Sequence, residues 1–173
     1  MTAVVGHGVA GVAGLPAVLA DAGRVLVPGG RFALAEPLHH ARRYDDALPG
    51  LTAHEQWQID TALGQATPAH ARHAVDDLVT ASHLGHLGLE IDRGDLAPTT
   101  TTLRDHDAVA VHLHTPPVPA GPNPLEAVRG QLGELLAGRY ETACHQLLDD
   151  RGTVTIRTPT VYLSARRARA GRR

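Results

Sequence analysis

The sequence predicts an α/β fold, and three observations carry this prediction. The apolar run Thr2–Val5 is typical of a buried strand. Leu15–Leu26 has apolar residues at helical spacing, and Arg31–Glu36 reads as a second strand after the turn Pro28–Gly30. Strand, helix and strand within about 35 residues form a βαβ unit, whose two strands are parallel.

The composition is that of an ordinary globular chain. It has 173 residues, 43% apolar and 20% charged, so we expect one domain over residues 1–173. Only 3% of the residues are aromatic, so the core must be built mainly from Val, Leu and Ala. No apolar stretch is long enough to span a bilayer, and the first residues carry no basic segment of a signal peptide, which predicts a cytoplasmic protein.

All 16 basic residues are Arg. The absence of Lys excludes Schiff-base chemistry and phosphate-binding loops that require Lys. Residues 166–173 hold five of these Arg and no acid, and we expect them to form a disordered basic tail. The rest of the chain is acidic, so we expect no nucleic-acid partner, and we expect no membrane partner either.

The middle of the chain combines an irregular segment with further regular elements. Residues 38–68 form a polar excursion, which we interpret as a lid-like insertion, with a capping box at Thr52–Glu55 that begins a helix through Leu63. A second helix is predicted from Thr67 to Leu84, followed by a strand over Leu89–Arg93. Residues 99–102, four consecutive Thr, are loop or strand edge.

The C-terminal third is predicted to contain two strands and one helix. Alternation over Ala108–His114 indicates a strand, with His112 and His114 on one face. After a Pro-rich linker, Leu125–Leu148 has the apolar spacing of one long helix. Thr153–Ser164 reads as a last strand, which Pro159 confines to an edge or a bulge.

The first glycines match a nucleotide-binding pattern. Gly6, Gly8 and Gly11 stand in the order G-x-G-x-x-G after a predicted strand and before a predicted helix. Such a turn lets backbone N–H groups approach a pyrophosphate. An NAD(P)-binding oxidoreductase fragment that uses these glycines is therefore one alternative function.

The segment Leu19–Pro37 contains Arg-Val-Leu-Val-Pro-Gly-Gly-Arg followed by Phe-Ala-Leu-Ala-Glu-Pro. It resembles the segment from helix D to strand 5 of class I S-adenosylmethionine-dependent methyltransferases. The resemblance implies that Thr2–His7 is the fourth strand of that family's sheet, and that Tyr162 lies in its antiparallel seventh strand. It also implies that Gly6, His7 and Gly8 lie near the cofactor S-adenosylmethionine.

Aligned in this way, the chain lacks the family's glycine-rich cofactor loop and the acidic strand end that holds the ribose. The resemblance therefore implies an incomplete, N-terminally truncated Rossmann-like sheet, with strands 4 to 7, flanking helices and the lid-like insertion. The strand at Val4 would have an unpaired edge. A homodimer, or a partner chain that completes the sheet, would cover this edge, and a non-catalytic truncated subunit of that kind is a second alternative function.

The first choice of function is methyl transfer from S-adenosylmethionine to a small-molecule acceptor. His39 and His40 directly follow the strand that ends at Glu36, where open α/β sheets place their ligands, so one of them is the candidate general base. Trp57 and Tyr44, in the lid-like insertion, are the candidate substrate-binding residues, and packing in the core or lid is the alternative for Trp57.

No metal site is predicted. His112 with His114, and His83 with His86 and Glu90, have pairwise ligand spacing, but neither set supplies three convincing ligands, so surface or core histidines are the better interpretation. Cys144, the single cysteine, lies in a helical apolar pattern and is predicted to be buried and inert.

Overall fold

The computed structural model describes residues 1–8, 15–73, 75–76, 80, 88–119 and 121–168. In chain order, the described elements are β1 (Ala3–His7), α1 (Leu15–Val25), β2 (Arg31–Pro37), β3 (Arg43–Tyr44), α2 (Ala53–Ala66), α3 (Ala69–Arg72), β4 (Leu89–Leu103), α4 (His106–His114), α5 (Pro124–Leu132), α6 (Glu134–Arg151) and β5 (Val154–Arg167), with a single 3₁₀ turn at His39–Ala41. The described strands form one five-stranded sheet in the order β1-β2-β5-β3, with β4 also paired to β5. The predicted α/β class is confirmed.

The chain divides into two compact units. Unit 1 consists of residues 1–38, 69–97 and 160–173, and unit 2 of residues 39–68 and 98–159. Both β4 and β5 begin in one unit and end in the other.

In unit 1 the strands pair as the βαβ pattern predicts. β1 is parallel to β2, with Ala3 opposite Arg31 and His7 opposite Ala35. β5 runs antiparallel to β2, and Tyr162 lies opposite Ala35. The antiparallel strand expected at Tyr162 is therefore confirmed.

One face of this sheet is buried against α1. Leu19 of α1 packs with Phe32 and Leu34 of β2 in a core that also contains Ala22, Leu26, Leu89, Leu163 and Ala165. The turn between α1 and β2 depends on Gly29, which has a φ of +79°, and on Gly30, where a Cβ atom would meet the carbonyl oxygen of Val27 at 2.8 Å. The predicted tight Pro-Gly-Gly turn is confirmed.

Unit 2 has a larger core, formed mainly by helices. α2 begins with the predicted capping box, in which Thr52 accepts from the backbone N–H of Glu55 and Glu55 accepts from that of Thr52. Asn123 and Glu126 cap α5 in the same way. The core residues are Tyr44, Leu48, Ile59, Leu63, Leu103, Val109, Leu113, Leu125, Ala127, Val128, Ala137, Tyr140, Ala143, Cys144, Leu147, Leu148, Val154 and Ile156.

The prediction of a strand over Ala108–His114 is wrong, because these residues lie in the helix α4. Asp105 caps α4 by accepting a hydrogen bond from the backbone N–H of Ala108 at 2.7 Å. Val109 and Leu113, four residues apart, are both fully buried, whereas Val111 is 63% exposed. Val109 and Leu113 are thus buried at helical spacing, as expected for α4. His112 and His114 do not share the face of a strand, because no strand forms here.

The single helix predicted over Leu125–Leu148 is divided into α5 and α6 at Gly133. This residue has φ +87° and ψ 167°, a conformation that is essentially restricted to glycine. The two helices pack on each other, which continuous helix geometry would not allow.

The last two strands of the sequence, β4 and β5, are both longer than predicted. β4 continues beyond Arg93 through the four Thr residues to Leu103. β5 continues through Arg166 and Arg167, so the predicted tail begins at least two residues later than expected. Residues 169–173 lie outside the described residues.

Other predictions are only partly covered by the described residues. The helix predicted from Thr67 to Leu84 is described as α3 over Ala69–Arg72, and much of the remainder lies outside the described residues, as do His83, His86 and Gly11. Residues 39–68 belong to unit 2, and their role as a lid stays a prediction. None of the helices in the described part is both long and apolar enough to cross a membrane.

Candidate functional site

Unit 1 contains an open cleft of about 450 Å³ on its sheet. Four strands supply the lining residues, which are Val5, Gly6, His7, Ala33, Leu34, Ala35, Arg93, Asp95, Tyr162, Leu163 and Ser164. Because Phe32 and Leu34 pack with α1, the alternating Ala33 and Ala35 face the opposite side of the sheet. The cleft therefore lies on the face that α1 does not cover.

Small residues make the floor of this cleft flat. Gly6, Ala33 and Ala35 lie side by side on β1 and β2, where larger side chains would fill the space. Gly8 ends β1 with a φ of +58°, and its N–H donates to the carbonyl oxygen of Ala35 at 2.9 Å. This bond holds the end of β1 against β2, and Gly6 and His7 line the cleft.

Polar groups are few and lie around the apolar floor. His7 and the hydroxyls of Tyr162 and Ser164 are available for hydrogen bonds. Arg93 and Asp95 form an ion pair at 2.6 Å, with side chains 75% and 50% exposed, so this pair adds no net charge and little stability. An apolar concavity with a small number of polar groups is typical of a small-molecule site.

Unit 2 contains a second open cleft, of about 400 Å³. It is lined by Tyr44, Asp45, Asp46, Ala47, Leu51, Ala53, Gln56, Trp57 and Asp60. Trp57 is 61% exposed and stacks on His54 with ring centroids 5.8 Å apart. Burial raises the pKa of Asp60, an effect that Arg43 and Arg42 oppose. Both predicted substrate-binding residues, Tyr44 and Trp57, therefore line one cleft.

The Tyr44 hydroxyl is already engaged in a buried network. It lies 2.6 Å from the hydroxyl of Tyr140 and 3.2 Å from Nε2 of His112, and the thiol of Cys144 donates to it at 3.7 Å. Burial raises the pKa of both tyrosines and lowers that of His112 to about 3. His112 is therefore neutral at pH 7, and its Nε2 can accept the Tyr44 proton while Tyr44 accepts from Tyr140.

Comparison with known proteins assigns no family. No protein-family model and no curated protein matches this chain. Among solved structures, it is similar to a proposed methyltransferase of Bacillus halodurans C-125, with 13% sequence identity and a TM-score of 0.40. The match covers 97% of this chain but only 64% of that protein. A likeness at this TM-score is too slight to support an argument about fold or function.

The predicted catalytic residues His39 and His40 lie in the 3₁₀ turn of unit 2 and line neither of the two clefts. Gly64 of α2 packs against this turn so closely that a Cβ atom would meet the carbonyl oxygen of His40 at 2.7 Å. The backbone of His40 is thus fixed by helix packing. A role for either histidine as a general base stays a prediction.

Sequence reasoning did not assign several residues to these sites, and it considered His112 only as a possible metal ligand with His114. Arg93 and Ser164 line the first cleft, and His112 and Tyr140 surround the Tyr44 hydroxyl. The only local signal was the i, i+4 pair Val109 and Leu113, which would have placed His112 on a helix.

The histidines and the cysteine in the described part of the chain form no metal site. No group of three or more His, Cys, Asp or Glu side chains converges there as ligands. Cys144 is buried, as predicted, and burial raises the pKa of its thiol to about 12. The thiolate needed for metal binding or nucleophilic attack is therefore scarce at pH 7.

Proposed function

We propose that the chain is a methyltransferase-like protein that binds S-adenosylmethionine in the cleft of unit 1 and transfers its methyl group to a small-molecule acceptor. One observation carries the proposal. Gly6 and His7, which the sequence resemblance assigns to the cofactor, line an open cleft of about 450 Å³ at the end of β1. This volume is within the range of about 300–1,000 Å³ of small-molecule sites.

The chemistry of the cleft suits an adenosyl ligand. The flat floor of Gly6 and Ala35 accommodates the face of an adenine ring, and His7, Tyr162 and Ser164 offer hydrogen bonds to polar atoms of the ligand. Since Arg93 is paired with Asp95, no lone lining cation opposes the positive sulfonium.

The reaction itself requires mainly positioning. A nucleophilic atom of the acceptor attacks the methyl carbon, the bond from that carbon to sulfur breaks, and S-adenosylhomocysteine leaves as a neutral thioether while the acceptor loses a proton. Holding nucleophile and sulfonium in line supplies most of the rate enhancement. The sequence candidates His39, His40, Tyr44 and Trp57 belong to unit 2 and do not line this cleft, so the proposal gives them no step in the transfer.

Calorimetry with S-adenosylhomocysteine tests cofactor binding. We expect saturable binding by the wild-type chain and at least tenfold weaker binding by Ala35→Trp, because the larger side chain fills the cleft. Ala47→Trp is the matched control, since Ala47 lines the other cleft and its substitution should leave this affinity unchanged. No binding by the wild-type chain, or equal binding by both variants, contradicts the proposal. Binding of NAD(P) instead would favour the oxidoreductase alternative.

A second candidate is a non-catalytic subunit that completes its sheet with another chain. It is supported by β1, which pairs only with β2 among the described strands and exposes 80% of Val5. A protein of this kind binds no cofactor but associates through β1. The calorimetric result therefore distinguishes the two candidates.

A further inference from the structure

The free edge of β1 carries a defined set of hydrogen-bonding groups. The carbonyl of Thr2 accepts from the N–H of Arg31, and the N–H of Gly8 donates to Ala35, so even-numbered residues face β2. Backbone polar groups alternate in direction along a strand. The N–H and C=O groups of Ala3, Val5 and His7 therefore point away from β2, where none of the described strands meets them.

The sequence of β1 itself carries none of the residues that normally prevent strand addition. β1 contains no proline and no Lys, Arg, Asp or Glu, and Val5 is 80% exposed at its centre. Edge strands of monomeric proteins are usually protected by charge, proline, a bulge or a covering segment. The directional backbone groups require a strand as their partner, and the exposed Val5 favours an apolar one.

We propose that the partner is a second copy of this chain, which adds its own β1 antiparallel to the first about a two-fold axis at Val5. In this register Val5 lies opposite Val5 of the partner subunit, and Ala3 lies opposite His7 of the partner subunit. Each such pair exchanges two hydrogen bonds, because its members are the residues that point outward.

Self-pairing is favoured because the edge is complementary to itself. A two-fold interface places the same surface on both sides, so any charge near its centre would face a like charge. β1 has no permanently charged side chain, and the central position is valine. The two copies can therefore approach without electrostatic repulsion and bury Val5 against its counterpart.

Dimerisation would also extend the cleft of unit 1. Gly6 and His7 form its border on β1, and opposed residues of an antiparallel pair have side chains on the same face of the sheet. Ala3 of the partner subunit then lies beside His7 and enlarges the cleft floor. The inference does not depend on the proposed methyl transfer, since the edge is present whether or not a cofactor binds.

Sedimentation over a range of protein concentrations, with two substitutions at Val5, tests the backbone contact. The wild-type chain should form a reversible dimer. Val5→Pro removes an outward N–H but no hydrogen bond to β2, so we expect a folded chain with at least tenfold weaker dimerisation. Val5→Thr, similar in shape and with its N–H intact, is the matched control and should remain a dimer.

A charge-pairing experiment tests the register. Val5→Lys and Val5→Glu should each be monomeric, because like charges face each other at the axis, and an equimolar mixture should form a heterodimer. Far-ultraviolet circular dichroism of each variant checks that it is folded. A monomeric wild-type chain at all concentrations overturns the proposal. So does a dimer that Val5→Lys and Val5→Glu leave intact, or a mixture that does not associate.

Discussion

Nε2 of His112 lies 3.2 Å from the Tyr44 hydroxyl at a part-buried position in unit 2. Its ring lies edge-on to that of Tyr44, with centroids 6.2 Å apart, and Tyr44 is in turn bonded to Tyr140. Protonation of His112 would place a charge at this partly desolvated position. The pKa of His112, lowered to about 3 by burial, expresses this cost.

The stability of the protein should therefore fall at mildly acidic pH. The pKa of His112 is about 3 in the folded chain, against an ordinary value of about 6.5 when unfolded. As the pH falls, the unfolded state takes up this proton first. Titration of His112 therefore leaves the free energy of unfolding unchanged above pH 6.5 and lowers it towards pH 3, by up to about 1.4 kcal/mol per pH unit. Chemical unfolding at several pH values measures the slope.

Between about pH 6.5 and pH 4.5 most carboxylates stay ionised, and substitution of single histidines separates the effect of His112 from that of the others. His112→Gln keeps an acceptor for Tyr44 and should flatten the slope there. His114→Gln, on the same helix but with a side chain 56% exposed, should retain the wild-type slope. An unchanged slope in His112→Gln would show that His112 does not cause the acid sensitivity.

This network illustrates what sequence patterns omit. Tyr44 is separated from His112 by 68 residues and from Tyr140 by 96. Helical or strand periodicity reports only which residues share a face within one element. Which buried polar groups meet across elements depends on the packing of unit 2, and no spacing indicates it.

Gly133 divides one continuous amphipathic pattern, Leu125–Leu148, into the two packed helices α5 and α6. It is both the last capping residue of α5 and the first of α6, and its N–H donates to the carbonyl of Arg129 at 3.0 Å. Its backbone conformation costs a residue with a side chain of the order of 1–3 kcal/mol.

We expect Gly133→Ala to lower the free energy of unfolding by about 1–3 kcal/mol, because alanine must adopt that conformation or move α6. Gly130→Ala is the control within α5. A Cβ atom there meets nothing within 4 Å, so the substitution should stabilise the helix by about 0.5–1 kcal/mol. Urea unfolding of the two variants gives both values, and equal effects would refute a special role for Gly133.

Elements with strong local signals could be predicted, and those determined by tertiary contacts could not. β1, α1 and β2 carry an apolar run, helical spacing and a glycine turn, and their positions agree with prediction to within two residues. In α4, alternation of Val and His favours a strand, yet packing of Val109 and Leu113 in the core outweighs it. The extent of β4 depends on pairing with the distant β5, which no local pattern indicates.

The clefts could be predicted only in part. The resemblance to methyltransferases implied that Gly6, His7 and Gly8 lie near a ligand, and Gly6 and His7 line a cleft. Tyr162 could be placed on the neighbouring antiparallel strand. That Arg93 and Asp95 line the cleft could not be predicted, because it depends on the pairing of β4 with β5.

At the scale of the whole molecule, histidine controls the charge. The net charge is −2 at pH 7 with its 12 His neutral, and there is no Lys. Small changes in pH therefore carry the chain through zero net charge, where self-repulsion disappears. Regulation by lysine acetylation is absent, because the chain has no site for it.

We expect a solubility minimum between about pH 6.5 and 7.5, followed by a steep rise towards pH 5 as the exposed histidines gain protons. Precipitation assays across this range, with electrophoretic mobility to locate zero charge, provide the measurement. A minimum near pH 4 to 5, where carboxylates dominate, would contradict this prediction.

The two units are interleaved along the chain, with boundaries at residues 38/39, 68/69, 97/98 and 159/160. Neither unit can therefore be obtained as one continuous fragment. During synthesis, unit 2 has all its residues once position 159 has emerged, whereas unit 1 waits for the end of β5 although β1 precedes every residue of unit 2. Until then β2 lacks its antiparallel neighbour, so its edge in the nascent chain is open to premature association.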